Sequence, residues 1–110
     1  LRIDGDGEQT RDLVHVDDIV SANIFCMEYP ENFKGKWFNV GSGNSVSMNY
    51  IRDVINKYHK VEWNWAPARP GDVRHTLADI SGLKELGWRP KVTIEDGLNR
   101  CFYRNLKKYI

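Results

Sequence analysis

The chain has 110 residues, 28% of them charged and 41% hydrophobic, and its 16 Lys and Arg against 15 Asp and Glu leave a formal net charge of +1. That length suits a single domain, and the composition excludes both a disordered chain and a membrane-embedded one: no stretch nears the roughly 20 apolar residues of a transmembrane helix. The basic excess of a general nucleic-acid grip is missing, so neither nucleic acid nor membrane is expected as a partner.

Cys26 and Cys101 have no metal or redox spacing, and no charged-then-apolar leader opens the chain. Two reduced, buried thiols in a cytoplasmic protein are expected. The first residues are Leu1-Arg2-Ile3, without Met, which predicts a removed start or a piece of a longer protein.

Gly5-Asp6-Gly7 reads as a turn, because two glycines supply positive φ cheaply. Residues 12–16 alternate enough for a short strand. Asp17 or Asp18 then caps a helix whose apolar positions are Ile19, Val20, Ala22, Ile24 and Met27, with Pro30 just beyond its end. After the Lys34-Gly35-Lys36 loop, residues 37–40 predict a short buried strand, and residues 41–44 a turn. Ser47 is a natural N-cap for a second helix, in which Ile51, Val54, Ile55 and Tyr58 recur at i, i+3, i+4 and i+7. Residues 61–65 read as a strand, and Pro67 and Pro70-Gly71 bracket an irregular connection. Asp79 caps a short helix with Ile80, Leu83 and Leu86 inward, Gly87 stops it, and Pro90 prevents its resumption. Thr93 to Asp96 resembles a capping box. The last helix runs to about residue 107, with Leu98, Cys101, Phe102 and Leu106 on one side, and Arg104, Lys107 and Lys108 suiting the dipole at its end. Four helices and three or four short strands make an α/β fold, or α+β if the strands are few.

Several patterns mimic chemistry. Gly41-x-Gly43 between a strand and a helix has part of a dinucleotide fingerprint, with Glu62 about 20 residues on. Val46 replaces the third glycine and Glu62 falls near the start of its strand, so a plain strand-to-helix turn is the better reading. Tyr103 and Lys107 have the spacing of a reductase proton-relay pair, yet any Tyr and Lys four apart on a helix match it. His15, Asp17 and Asp18 could form a metal or acid–base cluster, but helix-start residues explain the acids as well. His59 and His75 lack matching partners, and no Gly-x-Ser-x-Gly elbow exists. No catalytic residue and no metal site is expected.

Three segments carry more information. They are residues 5–18, with Gly5-Asp6-Gly7-Glu8-Gln9-Thr10-Arg11-Asp12; residues 38–43, Phe-Asn-Val-Gly-Ser-Gly; and residues 67–74, with Arg69-Pro70-Gly71-Asp72, leading to Leu86-Gly87-Trp88-Arg89-Pro90. A planar guanidinium can fork onto phosphate oxygens, and loops on a rigid scaffold are where binding residues concentrate. Arg11, Arg69 and Arg74 stand in such places. From the residues alone, surface ion pairs of these arginines with Asp12 and Asp72 are the plainer alternative.

In order and spacing, the three segments closely resemble the C-terminal, substrate-binding part of the NAD-dependent epimerase/dehydratase family, the extended short-chain dehydrogenase/reductases that act on nucleotide sugars. The resemblance runs from Ile3 to about Tyr103. It implies a substrate lobe, residues 1–110 as a single domain or fragment, beside a Rossmann domain that these residues lack. It implies that Arg11 and Arg69 hold the diphosphate of a UDP- or dTDP-type nucleotide sugar, and that Asp72 contacts the ribose. Asn39 and Gly41 would line the cleft, while Arg74 has no assignment. NAD is expected for the intact family enzyme and no cofactor for this chain, because the Gly-rich turn and catalytic Tyr-x-x-x-Lys of the family are not in it. Alone it should be catalytically inactive and bind the sugar nucleotide weakly.

Three readings follow: a fragment of a full enzyme, a short stand-alone binding module, or a self-associating interaction piece. In each, the first helix and the residue 37–40 strand would lack the Rossmann sheet, which predicts homo-oligomers through uncovered apolar faces and strand edges.

Overall fold

The computed structural model describes the backbone of residues 1–108 and the side chains of residues 1–103. In chain order the elements are β1 (Arg2–Asp4), β2 (Thr10–Arg11), α1 (Val16–Glu28), β3 (Val46–Ser47), α2 (Met48–Tyr58), β4 (Asn64–Ala66), α3 (Ser81–Leu86) and α4 (Ile94–Lys108). The strands form two two-stranded sheets. β1 and β4 run parallel, with Ile3 opposite Trp65. β2 and β3 run antiparallel, with Arg11 opposite Val46. Thr10 also bridges to His75. The fold is thus mixed α/β with four helices and short strands, as expected.

Local chemistry explains most element ends. The Ser47 hydroxyl accepts the Tyr50 amide at 3.0 Å and starts α2. Gly87, at φ 115°, closes α3 by sending its amide back to Leu83 and Lys84. Thr93 Oγ1 accepts the Asp96 amide at 3.2 Å at the head of α4. Asp79 does bind the start of α3, accepting the Ser81 amide at 3.0 Å, although Ile80 is the boundary residue.

The cap of α1 differs from expectation. His15 takes that position, its Nδ1 accepting the Asp17 amide at 3.0 Å, and Asp17 and Asp18 lie in the first turn, where their charge suits the helix dipole. Starting α1 at Val16 leaves residues 12–15 extended but unpaired, so the strand expected there is confined to Thr10–Arg11. The expected strand at 61–65 is shifted to Asn64–Ala66.

The core lies between α1, α3 and the segment after α3. Ala22, Ile80, Leu83 and Trp88 are buried together, and Phe25, Cys26, Phe38, Val40 and Leu86 pack around them. Leu83 is fully enclosed. Trp88 donates its indole N–H to Ser21 Oγ at 3.0 Å, which satisfies the one polar atom that its burial strands. A second contact joins α2 to α4: Lys57 pairs with Glu95 at 3.1 Å, the Tyr58 hydroxyl donates to the same carboxylate, and His59 stacks on Phe102.

Other expectations need correction. Residues 37–40 make no strand, and Trp37 is 78% exposed, because no strand among the described residues pairs with them. Of the apolar positions expected inside α1, Ala22 is buried but Val20, Ile24 and Met27 are exposed, and Val16 joins them. These four fall at 16, 20, 24 and 27, one continuous face of the helix. Both cysteines are free, but Cys26 is half-buried and Cys101 exposed, since its side of α4 is open. The side chains of Arg104, Leu106, Lys107 and Lys108 lie outside the described residues. The molecule is a slab 49 × 39 × 18 Å with a radius of gyration of 16.7 Å. A compact chain of this length has about 13 Å. One layer this thin buries only one side of α1.

Candidate functional site

The Gly5-Asp6-Gly7 turn and the 67–74 loop form two walls of a cleft of about 440 Å³. Gly5 and Gly7 both sit at φ 77°, and a Cβ on Gly7 would lie 2.1 Å from Asn49 Oδ1. The turn therefore favours glycine at both positions for conformation, and at Gly7 a Cβ would also displace the Asn49 side chain. Gly5 and the Asn49 amide complete the wall: Gly5 N–H donates to Ala66 at 2.8 Å and Asn49 N–H to Gly7 at 2.9 Å.

The cleft gathers charge of both signs. Arg69, Asp72 and Arg74 enter from the loop, and Asp4, Asp6 and Gln9 from the opposite wall. Arg11, on β2, stands behind the lining residues and touches one of them: its Nη2 donates to Asp72 Oδ1 at 3.0 Å, joining segments 61 residues apart. Its Nη1 donates to the carbonyls of Thr10 at 2.8 Å and Arg74 at 3.4 Å. Arg69 Nε pairs with Asp4 Oδ2 at 3.0 Å, and Asp4 also takes Arg2 at 2.7 Å. Arg74 forks onto Asp6 at 2.9 and 2.8 Å. The Arg2 hydrogen bond, with Arg69 adding to it, holds the Asp4 carboxyl below its ordinary range. The Arg74 fork and the Glu8 amide bring Asp6 down to about 2. Each of these arginines thus faces a carboxylate, and a guanidinium is a group that can fork onto either carboxylate or phosphate oxygens.

The structure brings Arg11 and Asp72 into direct contact and puts Arg69 in the same cleft as Asp72. The plainer alternative holds for Arg11 and Asp72, which do pair, but among the described residues Asp12 binds no arginine. Asn39 and Gly41 stand apart from this cleft. Asn39 is exposed beside Trp37, and Gly41 packs where a Cβ would lie 2.6 Å from that of Ala78. Asp4, Asp6 and Gln9 were missed because nothing in the sequence announces that β1 and its turn oppose a loop more than 60 residues away. Arg74 was noticed, but its fork with Asp6 is a matter of tertiary structure.

Two carboxylate anchors, half-buried Asp12 and buried Asp18, support the site. Asp12 collects the Gly-Ser-Gly turn: its Oδ1 accepts Ser42 N–H at 2.9 Å and Ser42 Oγ–H at 2.6 Å, and its Oδ2 accepts Gly43 N–H at 3.0 Å and Ala78 N–H at 3.2 Å. Burial pushes the Asp12 carboxyl up, but the Ser42 hydroxyl and the three amides outweigh it and hold it below the ordinary range. Asp18, 2% exposed, accepts the amides of Lys91 and Val92 at 2.9 and 3.0 Å and so ties α1 to the approach of α4. The acids near His15 thus differ in role: Asp18 holds backbone amides, while Asp17 pairs with Arg100 at 3.2 Å and lies 3.6 Å from His15 Nδ1.

The Gly41-Ser42-Gly43 turn does not fit the phosphates of a nicotinamide dinucleotide. The Ser42 and Gly43 amides, which would cradle its phosphates, are both taken by Asp12. A wider groove of about 850 Å³ lies beside the same turn, between Asn44 and Lys84. Lys84, Arg89, Asp79 and Glu85 line it as well, but Arg69 and Asp72, the residues that the motifs single out, line the smaller cleft, which is therefore the better candidate for an anionic ligand. Among the described residues, no group of three His, Cys, Asp or Glu could hold a metal ion, and no helix is long and apolar enough to cross a membrane.

Mixed α/β architecture with a loop-built, arginine-lined cleft is the class these features define, and comparison with known proteins specifies it. Residues 1–101 match the family model described as GDP-mannose 4,6 dehydratase. A putative UDP-glucose 4-epimerase of Methanocaldococcus jannaschii is 33% identical over 100 residues, which is 87% of this chain and 31% of that protein. The crystal structure of a UDP-glucose 4-epimerase from Thermotoga maritima with UDP-glucose is 41% identical, with a TM-score of 0.78 over 96% of this chain and 35% of that one. A UDP-glucuronic acid 4-epimerase from Bacillus cereus, in complex with UDP-glucuronic acid and NAD, is 32% identical, with a TM-score of 0.80 over 90% of this chain and 32% of that one. The chain belongs to the NAD-dependent epimerase/dehydratase family of extended short-chain dehydrogenase/reductases. It spans about a third of the length of these relatives.

Proposed function

We propose that this chain is the nucleotide-sugar-binding lobe of an NAD-dependent sugar-nucleotide epimerase or dehydratase and has no redox activity by itself. Arg11 and Arg69 bind the diphosphate, and Asp72 accepts a ribose hydroxyl. The observation that carries the reading is the Arg11–Asp72 contact at 3.0 Å, on the edge of the cleft that Arg69 lines. Motif residues distant in sequence converge on one anion-sized site. The Thermotoga relative was crystallised with UDP-glucose and the Bacillus relative with a UDP-sugar and NAD, which supports a UDP-type ligand here and NAD for an intact family enzyme. Ligand binding opens the Arg11–Asp72 pair, leaving the guanidinium for phosphate and the carboxylate for hydroxyl. Both are partly shielded, so the exchange favours a ligand that supplies both groups at once. Hydride transfer needs groups outside these residues, and the protein's working compartment is the cytoplasm.

Calorimetry with UDP tests this. Weak, salt-sensitive binding is expected, with Arg69→Ala and Arg11→Ala each removing most of it. Unchanged affinity in both variants contradicts the assignment.

One observation favours a second reading, a self-associating module. Val16, Val20, Ile24 and Met27 form an open apolar face on α1, and Trp37 lies exposed on an unpaired extended segment. An apolar face of this kind on a slab-shaped molecule is a docking surface.

A further inference from the structure

We infer that Asp12 is a positioning residue for the anion cleft: its carboxylate fills the Gly-Ser-Gly turn and fixes the strand that carries Arg11 against the segment that follows Arg74. This rests on the reading of the cleft as a diphosphate site.

Little else fixes the backbone of the strand that carries Arg11. β2 has two residues, and its pairing with β3 covers only Thr10 and Arg11. On the other side it is zipped to residues 74–76: Thr10 N–H donates to Arg74 at 2.9 Å, and Thr76 N–H to Thr10 at 3.1 Å. Asp12 continues that zipper in two ways. Its own amide donates to Thr76 Oγ1 at 3.3 Å, and its carboxylate accepts the Ala78 amide at 3.2 Å. The same carboxylate receives Ser42 and Gly43, so one side chain clamps three segments at the residue next to Arg11.

The turn is shaped for this anion. A Cβ on Gly41 would stand 3.0 Å from Asp12 Oδ2 and 2.6 Å from the Ala78 Cβ. A Cβ on Gly43 would stand 2.8 Å from Ile80 Cδ1, and Gly43 adopts φ 74°. The successive amides of a glycine-rich turn form an anion-binding nest, and here an internal carboxylate occupies it. Among the described residues no charged partner competes for Asp12. Its chain neighbour Arg11 is held by Asp72, and Asp79, beside Ala78, is engaged by the Ser81 amide. Ser42, Gly43, Thr76 and Ala78 carry no charge. An amide in place of the carboxylate turns its nitrogen toward N–H donors, which costs both alignment and acceptor strength.

The test uses the full chain, UDP as the probe and the Arg11 Nε–H resonance as a reporter that needs no ligand. In Asp12→Asn the Arg11 resonance shifts, and UDP affinity at neutral pH falls about tenfold, as expected for loss of coupling between contacting groups. The ratio of variant to wild-type affinity then shrinks toward one in acid, where the wild-type carboxylate also protonates. A general packing defect gives no such convergence. If Asp12→Asn does not fold, Ser42→Ala carries the test with a smaller shift of the same resonance: it leaves the carboxylate and its three amide donors in place and removes the hydroxyl's bond to Asp12, together with its contacts to Asn44. An unmoved Arg11 resonance in the folded variant overturns the inference, as does a pH-independent affinity ratio. If the wild-type chain binds no UDP at all, the diphosphate reading fails instead, and the ligand-free Arg11 resonance still decides the role of Asp12.

Discussion

Replacing Asp18 with Ala is a direct trial of how the lobe is held together. The side chain is 2% exposed, and its two oxygens accept the amides of Lys91 and Val92 at 2.9 and 3.0 Å. Alanine strands both amides. Hydrogen bonds to a charged group contribute about 1.5–3 kcal/mol each. Lys91 is exposed and its amide recovers part of that from water, whereas Val92 is half-buried and recovers less. The expected loss is about 3 kcal/mol. At about 4 °C per kcal/mol for a chain of this size, Tm falls by roughly 12 °C. Urea unfolding followed by the fluorescence of Trp88, which lies buried between these segments, measures it. Asp17→Ala is the control: its carboxylate is exposed, pairs with Arg100 and lies 3.6 Å from His15 Nδ1, and holds no backbone amide from another segment, so its loss stays within about 1 kcal/mol. Equal effects of the two substitutions would refute the reasoning, because they differ in what the carboxylate holds and not in charge.

Leu83→Ala, at the one fully enclosed large side chain, is expected to cost about 2–5 kcal/mol by denaturant unfolding; a loss below 1 kcal/mol contradicts the core assignment. Asp6 has a folded-state pKa of about 2, lowered chiefly by Arg74, against about 3.9 for an unfolded chain. The sign follows: its contribution to stability is present above about pH 4 and is lost as pH falls through about 2. Carboxyl 13C titration should give that low midpoint, with Arg74→Ala returning it to the ordinary range; an ordinary midpoint in the wild type contradicts the fork. Light scattering should show mass rising with concentration through the α1 face, and Ile24→Lys should abolish the rise; a wild-type monomer at high concentration counts against self-association.

The helices were legible because their signals are local. Ser47, Gly87 and Thr93 each act within four residues of their own position, and caps of that kind can be read without knowing the fold. His15 escaped because a histidine side chain took a role usually given to Asp, leaving the acids to the first turn. Strand limits were poorly legible. β1 to β4 are two or three residues long, and their partners sit far apart in sequence, so alternation cannot mark them. Residues 37–40 have the apolar character of a strand but no partner, and hydrophobicity without a partner produces an extended segment.

The site divides in the same way. Arg11, Arg69 and Asp72 were visible because motif spacing and resemblance pointed to them. Asp4, Asp6 and Gln9 became visible only when β1 paired with β4 and swung its following turn against the 67–74 loop. The Gly-Ser-Gly segment was readable as a turn but not in purpose. Asp12 lies 30 residues from Ser42, and no local pattern announces that its carboxylate fills that turn.

The measurement closest to the central claim is the 31P spectrum of UDP titrated with the full chain. Both phosphorus resonances should shift and broaden with the wild type, and both should return to their free positions with Arg69→Ala. Unperturbed phosphorus signals alongside a shifted uracil would mean that the cleft binds the base and not the diphosphate, which contradicts the account.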